Sequence, residues 1–340
     1  MLAFWSVFFA PVLAGITALV GAFWLARSTH WRLLDHPNAR SLHERPIPRT
    51  GGFAVLSGLA VGSVGLALFV AELPPLLKIL PFGLLPLAAI SWLDDRHGVA
   101  AWQRLAVHGV AAGSLIIAGL SIPGLELLPV WATMSLTGLF VVWMINLYNF
   151  MDGMDGFAGG MAVIGFTTLA WLGRADIGFV AISLIIAAAS AGFLVSNFPP
   201  ARLFLGDTGS TTLGFLAAAL SLWGSQADLF PLWAALWVFS PFIVDATVTL
   251  LRRLAQGERV WEGHRSHYYQ RLVLLGWGHR CTVLAEYVLM LTSAGSAVLA
   301  VQWWPDRLFV LVLGGGGVYG LLMWGVAWLE QRPLDQQAKD

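Results

Sequence analysis

The chain has 340 residues, 58% of them hydrophobic and only 11% charged, with 19 basic residues balancing 19 acidic ones. Soluble chains carry about 25% charged residues, and the mean hydropathy here is +0.74. A water-soluble globular domain is therefore excluded, an integral membrane protein in a lipid bilayer is expected, and with no net positive charge no nucleic-acid partner is expected.

The apolar runs are continuous rather than alternating, which predicts helices and not a β-barrel. Runs long enough to span a bilayer predict an all-α, polytopic bundle of about 11 transmembrane helices. They cover roughly 2–26, 53–71, 76–93, 105–121, 127–148, 157–173, 177–197, 209–224, 229–251, 281–302 and 307–329. The eighth is the shortest. The first run has no basic n-region and is too long for a signal-peptide core, so it reads as a retained helix. No internal repeat divides the chain, and 1–340 reads as a single domain. One cysteine, Cys281, permits no intramolecular disulfide. Gly314–Gly317 lies inside the last run, where glycines serve close helix packing better than a phosphate loop.

All 19 basic residues except Lys78, Arg174 and Arg307 fall on one side of this topology. They lie in loops 27–52, 94–104, 198–208 and 252–280 and in the tail from 330. The positive-inside rule makes that face cytoplasmic, with the N-terminus outside and the C-terminus inside. The polar motifs fall on the same face, in 27–52, 94–104, 146–156, 198–210 and 252–280.

The first of these loops carries Asp35-His-Pro-Asn-Ala-Arg40, His43, Arg49 and Gly51-Gly52. Arg40, His43 and Arg49 can face phosphates, or serve as a basic segment on anionic lipid. Asp94-Asp95-Arg96 follows, with Arg104 ten residues on. Adjacent carboxylates at a membrane boundary could hold a metal, take a proton or simply end a helix. The densest stretch is Asn146-Leu-Tyr-Asn149-Phe-Met-Asp152-Gly-Met-Asp155-Gly156, with an oxygen-bearing side chain at every third position. A tight 3₁₀ last turn would bring these side chains into line. Two acids at a helix C-terminus face its negative pole, so a hard cation beside them is expected. In Phe204-Leu-Gly-Asp207-Thr-Gly-Ser, Asp207 could cap a helix, bind a metal, or do both. His264-Arg265-Ser-His267-Tyr-Tyr-Gln270 lacks the partners of a zinc site, and Arg265 suits a diphosphate. Asp245 and Glu286 lie inside predicted helices, as internal pairs or as a proton path.

These motifs, in this order from Asp35 to Arg271, resemble the polyprenyl-phosphate N-acetylhexosamine-1-phosphate transferases of glycosyltransferase family 4. The resemblance implies a bacterial inner-membrane enzyme with a cytoplasmic site. It would transfer N-acetylhexosamine-1-phosphate from a UDP-N-acetyl sugar to undecaprenyl phosphate, with Mg²⁺ or Mn²⁺ as cofactor and a homodimer as assembly. It implies Asp207 and Asn149 as metal ligands, with Asp152 between metal and its surroundings. Phe204 would stack on uracil, and Asp155 would lie near the nucleoside. Asp94 and Asp95 match an aspartate pair proposed to position or deprotonate the lipid phosphate. Arg104 matches a basic position near the diphosphate, Asn146 would organise the loop at the substrate, and His264, Arg265 and His267 fall in the C-terminal basic motif. That motif departs from the histidine triplet of the peptidoglycan enzymes and is similar to the O-antigen-initiating branch. The competing class is an ion-coupled secondary transporter built on the same Asp and Asn side chains, although such sites usually lie at the membrane midplane.

Overall fold

The computed structural model describes residues 2–28, 33–38, 41–68, 74–259, 264–304 and 308–331. Among them the chain is almost wholly helical. The sole strands are β1 (Leu34–Asp35) and β2 (Ile47–Pro48), an antiparallel pair that pins the first polar loop back on itself.

α1 (Leu2–Arg27) shows how the sequence builds this bundle. Ala10, Ala14, Ala18 and Ala22 recur every fourth residue and are fully buried, whereas Val12, Ile16, Val20 and Trp24 each expose more than half their surface. In water those four would each forgo roughly 1.5–3 kcal/mol of burial; against hydrocarbon the same face is satisfied. The alanine face packs on α2 (Gly51–Ala67) and α7 (Ile177–Asn197). A side-chain carbon on Gly58 would stand 2.7 Å from the Ala14 carbonyl oxygen, so these backbones touch as small residues in membranes allow.

The other helices are α3 (Pro75–His97), α4 (Ala101–Ile117), α5 (Val130–Phe150), α6 (Phe157–Leu172), α8 (Gly206–Gln226), α9 (Leu232–Val238), α10 (Ser240–Ala255), α11 (Tyr268–Leu272), α12 (Gly278–Trp303) and α13 (Leu308–Glu330). A π-helical turn, Val273–Trp277, joins α11 to α12. Asp176 caps α7 by accepting from Gly178 N and Phe179 N at 2.8 and 2.9 Å.

Every predicted run corresponds to helix, with corrections. The ninth is two helices, α9 and α10, bent by 78°. Pro241 lacks an amide hydrogen and its ring crowds the preceding turn, so one straight helix is not available there. The eighth is longer than expected, 21 residues. By length and hydropathy six helices can cross a membrane, or seven if the bent pair counts as one span, with α2 and α6 shorter apolar helices. The protein is thus a multi-span, all-α membrane protein. Of the four glycines at 314–317, Gly315 alone meets a neighbour within 4 Å, Trp237, so close packing there is confined to one position.

Alternation of the chain brings one set of helix ends together. These are the N-termini of α2, α8, α11 and α12 and the C-termini of α3 and α5, and the polar motifs lie on them.

Candidate active site

The segment after β2 is threaded against the segment before α8. Phe204 N donates to Pro48 O (2.7 Å), Gly51 N to Phe204 O (2.9 Å) and Gly52 N to Leu205 O (2.7 Å). A carbon on Gly52 would lie 2.7 Å from Gly209 Cα, so the first turns of α2 and α8 meet backbone to backbone. The Gly51-Gly52 pair therefore serves a close approach of main chain, and it carries Arg49 to the start of α8.

A cavity of about 250 Å³ opens where these ends converge. Its wall includes Asp95, Asn149, Asp152, Asp155, Phe204 and Asp207, together with Arg49, His43 and Gln270. Five motifs far apart in the chain thus supply one site.

The paired aspartates point to different tasks. Asp95 is 6% exposed and faces the cavity, with Arg49 Nη1 3.3 Å from its Oδ1 and Arg49 Nη2 donating to its backbone carbonyl. Asp94 is not on the wall. It accepts from Val99 N and from Arg104 Nη1, both at 2.6 Å. Arg104 reaches on towards Asp207, whose Oδ2 is 3.8 Å from the same nitrogen.

Asn149, on the last turn of α5, accepts from Ser210 Oγ at 2.8 Å, which ties α5 to α8. The chain then leaves the helix, and Asp152 sits in the turn. Burial first, then the carboxylates of Asp207 and Asp95, push Asp152 well above the ordinary carboxylate range. Among the described residues no three His, Cys, Asp or Glu side chains converge as a ready-made metal cage. The donor set is two carboxylates, Asp207 and Asp152, with the Asn149 amide. It fits a hard cation that takes few protein ligands and draws the rest from substrate phosphates and water, and such a cation would offset the mutual repulsion of these acids.

The far end of the cavity is built around Asp155. Its Oδ2 accepts from Ala201 N (2.9 Å), and its Oδ1 lies 3.0 Å from His279 Nδ1. His279 Nε2 is 3.2 Å from Leu42 O, so the imidazole bridges the first polar loop to the Asp155 turn. Asn197 accepts from Gly156 N (2.9 Å) and donates to Leu203 O (3.0 Å). Phe204 meets the His43 ring edge-on at 5.0 Å.

Not every predicted residue arrives. Arg40 lies outside the described residues. Asn146 turns away, donating to Val142 O (2.7 Å) and lying 3.2 Å from His108 Nδ1. The reason is that α5 stays α-helical to Phe150, so Asn146 and Asn149 diverge around the axis and the 3₁₀ alignment does not form. His264, Arg265 and His267 are absent from the wall. His264 hydrogen-bonds Ser266 (2.8 Å), and burial, then His267 and Arg253, push it down to about 4. Arg265 is exposed outside the cavity. His267 is buried with Nδ1 3.3 Å from Asp245 Oδ1.

The site also holds residues that sequence reasoning passed over: Gln270, His279 and Asn197. Gln270 closes the motif that was read for its charges. His279 stands with Arg280 at the start of an apolar run, outside the motif at 264–270.

Residues 77–225 match the family described as Glycosyl transferase family 4. A phospho-N-acetylmuramoyl-pentapeptide-transferase of Synechococcus sp. (strain JA-3-3Ab) is 30% identical over 323 residues, 85% of this chain and 89% of that one. A probable undecaprenyl-phosphate N-acetylglucosaminyl 1-phosphate transferase of Bacillus subtilis (strain 168) is 29% identical over 293 residues, 82% of this chain and 81% of that one. An undecaprenyl-phosphate alpha-N-acetylglucosaminyl 1-phosphate transferase of Yersinia pestis is 27% identical over 305 residues, 82% and 81% of the two chains. Coverage of this extent on both sides, together with the polar motifs gathered at one set of helix ends, identifies a transferase rather than a transporter, and the chain belongs to glycosyl transferase family 4, the polyprenyl-phosphate hexosamine-1-phosphate transferases.

Proposed function

We propose that the protein transfers N-acetylhexosamine-1-phosphate from a UDP-sugar to undecaprenyl phosphate, releasing UMP and starting a lipid-linked envelope glycan at the cytoplasmic face of a bacterial inner membrane. The observation that carries this reading is the joint wall of one cavity, which holds Asp95, Asp152, Asp207 and Asn149 with Arg49, and also Asp155 and the Phe204–His43 ring pair. The first set suits a cation and phosphates, the second a nucleoside. The loops that supply the cavity belong to the set that carries most of the basic residues of the sequence.

In this reaction an oxygen of the lipid phosphate attacks the β-phosphorus of the UDP-sugar. The bond from that phosphorus to the bridging oxygen breaks, and UMP leaves with the electron pair. A phosphomonoester is already mostly ionised near neutral pH, its second pKa being about 6, so the attack needs no strong general base. Phosphoryl transfer of this kind depends on positioning and charge neutralisation. Asp207, Asp152 and Asn149 would hold Mg²⁺ or Mn²⁺, which when bound supplies Lewis-acid stabilisation of the diphosphate. Arg49 sets one cationic group against the phosphates and steadies Asp95. Arg104 holds Asp94 and the approach to Asp207. Phe204 offers a ring for base stacking, and Asp155, braced by His279, offers a carboxylate to the nucleoside.

The non-triplet segment His264–Gln270 supports an N-acetyl sugar of the O-antigen-initiating kind over a muramoyl-pentapeptide. The test is incubation of the purified protein with undecaprenyl phosphate, Mg²⁺ and a panel of UDP-sugars labelled with ³²P at the β-phosphate. Label in the organic phase with UMP in the aqueous phase is expected for one N-acetyl sugar, and EDTA should abolish it. Absence of lipid-bound label with every donor would overturn the proposal.

A further inference from the structure

The short helix α11 meets the cavity through Gln270, a residue to which the proposed chemistry gives no task. α11 is held at its start by one buried carboxylate. Asp245 of α10 is 7% exposed. Its Oδ1 accepts from Thr249 Oγ1 and from Tyr268 N, both at 3.0 Å, and lies 3.3 Å from His267 Nδ1. Its Oδ2 accepts from Tyr269 N at 3.2 Å. Three donors and the His267 ring nitrogen thus converge on one side chain, which determines where the first turn of α11 sits. From that turn Tyr269 donates through Oη to Phe150 O (3.3 Å), at the edge of the Asn149–Asp152 turn.

Gln270 follows on the same turn. Its Oε1 accepts from His267 N at 3.2 Å, which sets the rotation of the amide. With the oxygen turned back to the helix start, Nε2 is turned outward. It lies over Gly153, 3.1 Å from where a side-chain carbon would stand, and the residue is on the cavity wall beside Asp152. A primary amide whose oxygen is engaged still presents two N–H donors. The same wall carries the oxygen acceptors Asp95, Asp152, Asp155 and Asp207, and the substrates proposed for the cavity are rich in oxygen.

We infer that Gln270 is a substrate-binding residue whose Nε2 donates to an oxygen of the sugar-phosphate part of the donor, and that Asp245 is the positioning residue that sets its aim. The assignment to the sugar-phosphate follows from place. Gln270 stands by Asp152 and Gly153, whereas the nucleoside end is built by Asp155, Asn197 and His279. The inference rests on the transferase reading above. The alternative is that Gln270 acts only as the N3 partner in the cap of α11.

Two substitutions separate these roles. Gln270→Glu keeps an oxygen for His267 N, and so keeps the cap, but removes both donors and sets a negative charge against anionic substrates. Its kcat/KM for the UDP-sugar should fall at least about tenfold while the melting temperature in detergent stays at the wild-type value. Gln270→Met removes the donors without adding charge and should raise the KM for the UDP-sugar about three- to tenfold; it carries the test alone if the glutamate variant does not fold. Asp245→Asn should raise the same KM, and combining it with Gln270→Met should add little, because both changes act on one contact. Wild-type kcat/KM in both folded Gln270 variants, or fully additive effects in the double variant, would overturn the inference. The wild-type protein is assayed alongside: no lipid product from it defeats the transferase reading, whereas product from it and unimpaired Gln270 variants defeat the inference alone.

Discussion

His279 Nδ1 lies 3.0 Å from Asp155 Oδ1, and no other side-chain partner to that oxygen is present among the described residues. The two residues are 124 positions apart, and the same imidazole reaches Leu42 O through its second nitrogen. One ring therefore joins the turn after α5, the start of α12 and the first polar loop, all at the proposed nucleoside end.

Removing that ring should loosen Asp155 without touching the phosphate end. His279→Ala is expected to raise the KM for the UDP-sugar about fivefold, equivalent to about 1 kcal/mol, with kcat within about twofold of wild type. Steady-state kinetics with saturating lipid phosphate checks this. A fall in kcat at unchanged KM would place His279 in the chemical step instead.

Phe204 stands on the same end, with the His43 ring against its edge. If it stacks on the base, Phe204→Ala should weaken UDP-sugar binding by roughly 1–3 kcal/mol, and UMP inhibition should weaken in parallel because the nucleotide is common to both. Calorimetric titration with UMP is the direct measurement. Unchanged UMP affinity would remove Phe204 from the nucleoside site.

What the sequence made legible, and what it hid, follows from how far each signal reaches. Continuous apolar runs reveal helices because a backbone in hydrocarbon has little alternative, and among the described residues ten of the eleven predicted runs hold one unbroken helix each. The break between α9 and α10 had a visible cause in Pro241, but an apolar run of spanning length masked it. Asp207, Asn149 and Asp155 were legible as acids and amides at helix ends in a chain poor in polar groups. His279 and Asn197 were not, since a polar residue at the end of an apolar helix gives no local sign of its partner. The C-terminal motif misled through composition. Its charges drew attention to Arg265, but α11 begins at Tyr268, and the helical turn delivers Gln270 to the cavity and leaves Arg265 outside.

The contact of Gly52 with Gly209 makes a structural prediction. A side chain at Gly52 would meet backbone atoms of residues 208 and 209 within 3 Å, and backbone cannot swing aside as a long side chain can. Gly52→Val should destabilise by about 3 kcal/mol or more and separate Arg49 and Asp95 from Asp207. Gly316→Val, at a position with nothing within 4 Å, is the control. Thermal unfolding in detergent should show a large fall in melting temperature for the first and none for the second. Equal stability of the two would mean that the N-termini of α2 and α8 are not packed backbone to backbone.

The last prediction concerns the division of labour between the paired aspartates. Arg104 Nη1 is held at 2.6 Å by Asp94 and stands 3.8 Å from Asp207. Asp94→Asn keeps the side-chain shape and an oxygen for Val99 N but gives up the negative charge that restrains the guanidinium. Arg104 is then free to close on Asp207, where it competes with a divalent cation for the same carboxylate. The expected phenotype is an altered metal requirement: half-maximal activity at about tenfold higher Mg²⁺, with substantial recovery at saturation. Asp95→Asn leaves Arg104 in place and removes a carboxylate from the cavity wall itself, so excess Mg²⁺ should not restore it. Asp207→Asn should lose most turnover at any metal concentration. A magnesium titration of the three variants distinguishes them, and the double variant Asp94→Asn with Arg104→Gln should return the metal requirement towards wild type, because the competing cation is gone. If Asp94→Asn is as refractory to Mg²⁺ as Asp207→Asn, then Asp94 does not act through Arg104 and must meet the substrate directly.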